Sequence, residues 1–309
     1  IRDDLVTGVQ TCALPISGVD SIDLNTFSAT MTVDQADLVV ASSGTYTVVD
    51  TAAEIEAEVT DSTAGSLDGA TSVATTDGDD ADAVADTLTL TVAEYGQIVD
   101  GDTTLTTSYR IVDSAANIQA AIADDGTSLG AIANAVSVES NDGTLTFKVA
   151  EVNALNGATP PVTITGGYDI SDTAGAIEGA FTNTIQSILV NAGTVTVTSG
   201  QAALTIGQYQ QLVESGGITG SQYTVTDSLA AVEASTLTAA QFNALHNFVV
   251  TLSADGNLTG SEGLIFTVDE FQLGAGVVAT TDDSEYLAFI SGGGSFTGTG
   301  TVQIVDADL

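Results

Sequence analysis

A ten-residue phrase, Tyr-x-[Val/Ile]-x-Asp-[Ser/Thr]-x-x-x-[Ile/Val], occurs four times in this chain without a mismatch at its fixed positions. It starts at Tyr46, Tyr109, Tyr168 and Tyr223. Exact recurrence over such distances constrains the fold more than any other feature. It signals an array of similar supersecondary units, each too small to bury its own apolar face. Within the phrase, Tyr, Val or Ile, and Asp alternate with period two, as in a half-buried strand. The Ser or Thr that follows (Thr51, Ser114, Thr173, Ser228) is a good helix N-cap. Ala-rich residues and an aliphatic at Ile55, Ile118, Ile177 or Val232 then predict a short helix.

A second phrase alternates with the first: a bulky apolar residue, usually Thr, an apolar residue, and Gln or Glu two positions on. It reads Met31-Thr-Val-Asp-Gln35, Leu90-Thr-Val-Ala-Glu94, Phe147-Lys-Val-Ala-Glu151, Leu204-Thr-Ile-Gly-Gln208, Leu237-Thr-Ala-Ala-Gln241 and Phe266-Thr-Val-Asp-Glu270. The first three residues predict a strand, and the Gln or Glu is expected to open another short helix. Loops such as Asn141-Asp142-Gly143 close the units by turn chemistry. The fold class expected is therefore a β-rich α/β tandem repeat of strand and short-helix units, solenoid-like or stacked, with an all-β repeat protein as the alternative. The first four copies start 59, 57 and 57 residues apart and the last three 33 and 29 apart. This places an internal boundary near residue 204, giving a repeat region over 18–203 and one of shorter period over 204–309.

Residues 1–17 stand apart. Ile1 to Ile16, IRDDLVTGVQTCALPI, resemble a translated sequencing adapter and are set aside from fold reasoning. The expectation that follows is a metagenomic chain whose natural N-terminus is missing and whose single cysteine, Cys12, belongs to the adapter. At the other end, Val302-Gln-Ile304-Val-Asp306 resembles a further copy of the first phrase, cut at Leu309.

Charge excludes some partners. The formal net charge is −38, and beyond Arg2 only Arg110 and Lys148 are cationic. Phosphate backbones and anionic membrane surfaces need clustered Lys and Arg, so nucleic acid is excluded as a partner. A hydrophobic share of 43% still argues for a folded chain, because disorder couples high charge to low hydrophobicity. With no Trp and one Met, the core must be built from small aliphatic layers. No apolar stretch is long enough to span a membrane.

The Asp50-Thr51-Ala52, Asp113-Ser114-Ala115 and Asp172-Thr173-Ala174 copies, with Asp227-Ser228-Leu229 a looser one, resemble the tandem Asp-Thr-Ala-x-x-Ile and Leu-Thr-x-x-Gln repeats of large secreted bacterial surface proteins. Some of those are related to the calcium-binding repeats-in-toxin group. The resemblance implies an exported, repetitive surface or matrix protein with a calcium dependence, although the glycine-rich nonapeptide of that group is missing here.

Calcium is also argued from carboxylate spacing, since hard oxygen ligands crowded into a turn are what Ca²⁺ prefers. Asp77-Gly-Asp79-Asp80-Ala-Asp82 with Asp86 is the leading candidate; Asp282-Asp283-Ser-Glu285 and Asp124-Asp125-Gly126 are weaker ones. The recurring Asp50, Asp113, Asp172 and Asp227 are read as satisfying backbone amides at strand-to-helix turns. The recurring Tyr is read as a packing ridge, and Asn257-Leu-Thr259 is an isolated glycosylation sequon. A lone His246, no second imidazole and no phosphate-cradling loop leave catalysis without a candidate. The expected function is an extracellular structural protein, a self-assembling homopolymer subunit of a filament, sheath or surface layer. The alternative is a stalk segment of a giant calcium-dependent adhesin or toxin-like surface protein.

Overall fold

The computed structural model describes residues 21, 24, 28–39, 44–60, 67, 69–76, 87–99, 103–122, 130–183, 185–220, 222–245, 247–259 and 267–305. The adapter-like segment lies outside them. The chain forms two compact units, Ile1–Gly143 with Ala154–Gly166, and Thr144–Asn153 with Gly167–Leu309. Among the described residues it is a mixed α/β protein of five parallel sheets and eleven α-helices, and no sheet closes into a barrel. The all-β alternative is thereby overturned. Among the described residues, strands and helices take nearly equal shares. The physical reason is that neighbouring parallel strands cannot be joined by a tight turn; each crossover needs length, and the Ala-rich stretches after the caps supply it as helix.

The first unit holds two four-stranded sheets. One runs Ser28–Met31, Thr45–Asp50, Ser72–Thr75, Thr104–Leu105; the other runs Leu88–Leu90, Tyr109–Asp113, Ser137–Ser140, Thr163–Thr165. In chain order, Leu88–Leu90 opens the second sheet before Thr104–Leu105 has closed the first. The second unit starts with Leu145–Phe147, Tyr168–Asp172, Val195–Val197, Ile218–Thr219. It continues with a five-stranded sheet, Ala202–Leu204, Tyr223–Ser228, Phe248–Leu252, Glu270–Leu273, Ser295–Gly298, and a three-stranded one, Gly256–Asn257, Val278–Asp282, Thr301–Val305.

The two sequence phrases become adjacent strands in fixed register. The first residue of the second phrase pairs with the third of the first: Met31 with Val48, Leu90 with Ile111, Phe147 with Ile170, Leu204 with Val225. Each row continues onto the next strand at Val73, Val138, Val195 and Phe248. None of these twelve side chains exceeds 6% exposure. Burying each contributes about 1.5–3 kcal/mol, so these apolar rows are a main source of stability for the four sheets that carry them. The alternate positions carry hydroxyls that pair across strands, as Ser28 with Thr45 at 2.9 Å and Thr196 with Thr219 at 2.8 Å.

The recurring tyrosines are packing residues, as expected. Tyr109 stacks beside Tyr95 with ring centroids 5.0 Å apart, and Tyr223 beside Tyr209 at 5.8 Å. Their hydroxyls donate to the carbonyls of Ala131 at 3.0 Å and Ala244 at 3.2 Å; that of Tyr168 donates to Ile188 at 2.9 Å. A buried phenol needs such an acceptor.

The helix starts differ in detail from expectation. The Gln or Glu of the second phrase does not open the helix. The preceding Thr does, as N-cap, with the Gln or Glu at the third helical position closing a capping box: Thr32 with Gln35, Thr91 with Glu94, Thr205 with Gln208 and Thr238 with Gln241. Lys148 stands where the other copies have Thr, and there Glu151 alone accepts, from the Lys148 amide at 2.8 Å. The last copy departs altogether, since Glu270–Leu273 is a strand of the five-stranded sheet. The first phrase behaves as read: Ser114, Thr173 and Ser228 are N-caps, and the Thr51 hydroxyl accepts from Glu54 N at 3.2 Å.

Candidate functional site

The most developed polar constellation is the carboxylate that ends each first-phrase strand. Asp50, Asp113, Asp172 and Asp227 each accept two backbone amides with their two oxygens. Oδ1 takes the amide of the next residue, Thr51, Ser114, Thr173 or Ser228, at 2.7–2.8 Å. Oδ2 takes the first amide of the preceding helix, Val33, Val92, Val149 or Ile206, at 2.9–3.2 Å. At Asp113 the Asn117 side chain adds a third donor at 2.8 Å. One anion thus satisfies amides at the starts of two helices, where unpaired N–H groups and the helix dipole both favour negative charge. With both oxygens taking backbone amides, these aspartates act as structural joints.

A second carboxylate joint escapes the sequence reading. Glu56, on helix Ala52–Thr60, accepts from Thr89 N, and Glu178, on helix Ala174–Thr182, accepts from Ala203 N. Thr89 and Ala203 are the middle residues of Leu88–Leu90 and Ala202–Leu204, the outer strands of their sheets. An outer strand presents unpaired amides, and here a side chain from the neighbouring helix covers one. The signal existed: six residues after the phrase Asp the sequence has Glu56, Gln119, Glu178 and Glu233.

Of the proposed calcium ligands, Asp77, Asp79, Asp80, Asp82 and Asp86 lie outside the described residues, as do Asp124, Asp125, Gly126, Cys12 and His246. The other cluster does not converge. Asp282 is the N-cap of helix Asp283–Ser291, its Oδ1 accepting from Glu285 N at 2.8 Å and Ser284 Oγ at 2.7 Å. Those donors, the Glu285 amide first, hold its carboxyl below the usual aspartate range. Asp283 points to solvent, while Glu285 is buried beside Thr281. Among the described residues, no three His, Cys, Asp or Glu side chains come together as a metal-holding group.

A depression of about 350 Å³ is lined by Glu233, Thr251, Ser253, Asp255 and Asn257 with the start of helix Leu229–Glu233. Asp255 is already engaged there by the amide of Val278 at 2.8 Å, and Asn257 accepts from Thr259 N at 3.1 Å, which turns the sequon into a local capped turn. The cations are used locally too: Arg110 Nε donates to Thr89 at 2.9 Å and Lys148 lies 3.8 Å from Glu151. No helix among the described residues is long and apolar enough to cross a membrane. Compared with known proteins, the chain matches no family model, no curated protein and no solved structure.

Proposed function

We propose that the chain is a structural subunit of an extracellular or cell-surface assembly, a filament, sheath or surface layer, built from tandem strand-and-helix repeats. The supporting observation is that one joint is built four times from the same parts: the aspartate after each Tyr-x-[Val/Ile]-x strand tying two helix starts together, at Asp50, Asp113, Asp172 and Asp227. Recurrent joints with recurrent register rows are what an array of like units requires. Such units propagate into a polymer when the two ends of the array fit each other. In this reading the acidity sets the conditions of assembly. Subunits of net charge −38 repel at close range, so polymerisation depends on screening salt or on divalent cations, with Asp77, Asp79, Asp80, Asp82 and Asp86 as the candidate calcium ligands.

Negative-stain electron microscopy with light scattering, titrating Ca²⁺ against NaCl of matched ionic strength, tests this. Regular polymers at low millimolar Ca²⁺ but not in matched NaCl are expected. Isolated particles of constant mass under all conditions would overturn the polymer and favour a stalk segment of a larger calcium-dependent adhesin.

A further inference from the structure

Within each unit, a sheet opens before its predecessor has closed. In the first unit Leu88–Leu90 opens the second sheet, and only then does the chain return to lay Thr104–Leu105 on the outer edge of the first. In the second unit Ala202–Leu204 opens the five-stranded sheet before Ile218–Thr219 closes the sheet ahead of it. The five-stranded and three-stranded sheets interlace further, since Gly256–Asn257 and Val278–Asp282 each fall between two strands of the other sheet along the chain. Successive sheets of a unit therefore exchange strands, which a simple string of sheets would not do.

The returning strand of the first sheet, Thr104–Leu105, has two residues, fewer than the roughly three to ten usual for a strand, so its ladder alone holds it weakly. Its amide ladder reaches only from Thr104 N to the Thr71 carbonyl at 3.1 Å and from Thr106 N to that of Val73 at 3.0 Å. Threonine hydroxyls add the rest. Thr103, 7% exposed, donates to the Ala70 carbonyl at 2.6 Å, Thr106 donates to the Val73 carbonyl at 3.2 Å, and the Thr107 hydroxyl pairs with that of Thr75 at 2.7 Å. The strand sent the other way is anchored differently. Leu88 and Leu90 are fully buried in the second sheet, and Glu56 of the first sheet's helix accepts the Thr89 amide.

We infer that this reciprocal exchange is a clasp, which holds the two sheets of the first unit together independently of the continuity of the chain between them. A break between Val99 and Thr103 leaves Leu88–Leu90 of one piece in the other's sheet, and Thr104–Leu105 of the other on the sheet of the first. Neither piece departs without stripping a strand from its neighbour. In the surface assembly proposed above, such a subunit keeps bearing load after a proteolytic nick. The clasp itself requires no self-assembly, so the two readings fail separately.

The test uses the full chain with a specific protease site inserted between Val99 and Thr103 or, for comparison, between Thr76 and Thr87. The first cut leaves both strands exchanged between the pieces; the second leaves only Thr104–Leu105 exchanged. After cleavage, pieces from the first cut are expected to run at the parent mass in size-exclusion chromatography. At a fixed moderate urea concentration they should part roughly tenfold more slowly than pieces from the second. Thr103→Val leaves the buried Ala70 carbonyl without its donor and should speed parting by roughly tenfold, with the circular dichroism of the uncut chain unchanged. Thr103→Ser keeps the hydroxyl and should part like the parent. Pieces that separate at once, or that part equally fast after either cut and whatever stands at position 103, would overturn the clasp and leave packing alone to join the sheets. Nicked pieces that stay together in a chain that never polymerises would support the clasp and count against the surface assembly only.

Discussion

The carboxylate of Asp113 accepts the amide of Val92, 21 residues earlier in the chain, at 3.0 Å, and the amide of its own neighbour Ser114 at 2.7 Å. Asp113 is 6% exposed, so neither amide has ready access to replacement water. Asp113→Ala is therefore expected to cost about 1–3 kcal/mol, the range for leaving buried donors unpaired. Asp113→Asn, which keeps one carbonyl acceptor, should fall between. Urea unfolding midpoints of the three proteins check this; equal midpoints for Ala and Asn would mean that shape and a single carbonyl acceptor contribute nothing and that the joint depends on both carboxylate oxygens.

Removing the second joint should act more locally. Glu56→Ala leaves the Thr89 amide on an outer strand, where solvent can replace the lost acceptor, so about 0.5–1.5 kcal/mol is expected. Amide exchange at Thr89 should accelerate while Ile111, deeper in the same sheet, stays protected. Glu56→Gln should restore protection, because an amide carbonyl also accepts. Uniform acceleration through the sheet would assign Glu56 a packing role instead.

Much of this architecture was legible in the sequence, and what was not has identifiable causes. Period-two alternation from Tyr109 to Asp113 and the cap at Ser114 mark the strand and the helix that follow. The pairing of Leu90 with Ile111 was not readable, because register is fixed by three-dimensional contact between phrases about twenty residues apart. The second-phrase helices begin two residues earlier than expected: Thr91, a strand residue by its local pattern, caps the helix, and a threonine suits both roles. Phe266-Thr-Val-Asp-Glu270 repeats the phrase yet leads into a strand at Glu270, where tertiary pairing with Val249 overrides local preference. The spacing of Asp282, Asp283 and Glu285 did not reveal that Asp282 is the N-cap of helix Asp283–Ser291, because a capping aspartate and an acidic cluster look alike in sequence.

The aliphatic rows should dominate stability. Ile111 is fully buried between Leu90 and Val138, so Ile111→Ala is expected to destabilise by about 2–5 kcal/mol. Thr47→Ala, on the hydroxyl-bearing face opposite Ser72, should stay within about 0.5 kcal/mol. Thermal unfolding of the pair compares the two faces of one architecture directly. Similar losses would mean that the hydroxyl ladder matters as much as the core row.

Alkali should unfold the protein through its tyrosines. Burial pushes the phenols of Tyr109, Tyr168, Tyr209 and Tyr223 above the ordinary tyrosine range, and the neighbouring rings reinforce this at Tyr109 and Tyr223. A raised folded-state pKa means that the folded chain holds these protons more tightly than the unfolded one. The stabilisation is complete below about pH 10 and is lost as pH rises beyond it. Tyrosinate absorbance should therefore rise together with loss of circular dichroism in one transition. Smooth titration of all seven tyrosines near pH 10 with the fold intact would contradict the packing role assigned to the recurring Tyr.

At the acid end the sign reverses. Asp142 accepts from Ala115 N at 2.7 Å and Ser140 Oγ at 3.0 Å, and these bonds, the Ala115 amide first, hold its carboxyl below the ordinary aspartate range. A depressed folded-state pKa contributes stability above the unfolded value, and this contribution disappears as pH falls through the folded one. Acid also relieves the repulsion of a chain at −38, which acts the other way, so the raw pH profile of the parent mixes two opposed effects. The difference between the parent and Asp142→Asn separates them, since removing a single charge barely alters the global field. The parent should be the more stable at neutral pH, and the gap should close as Asp142 protonates. Asp142 is fully exposed, so solvent screening keeps the gap small, and its disappearance on acidification is the decisive observation. A gap independent of pH would mean that the Asp142→Asn substitution disturbs the turn sterically rather than through lost charge.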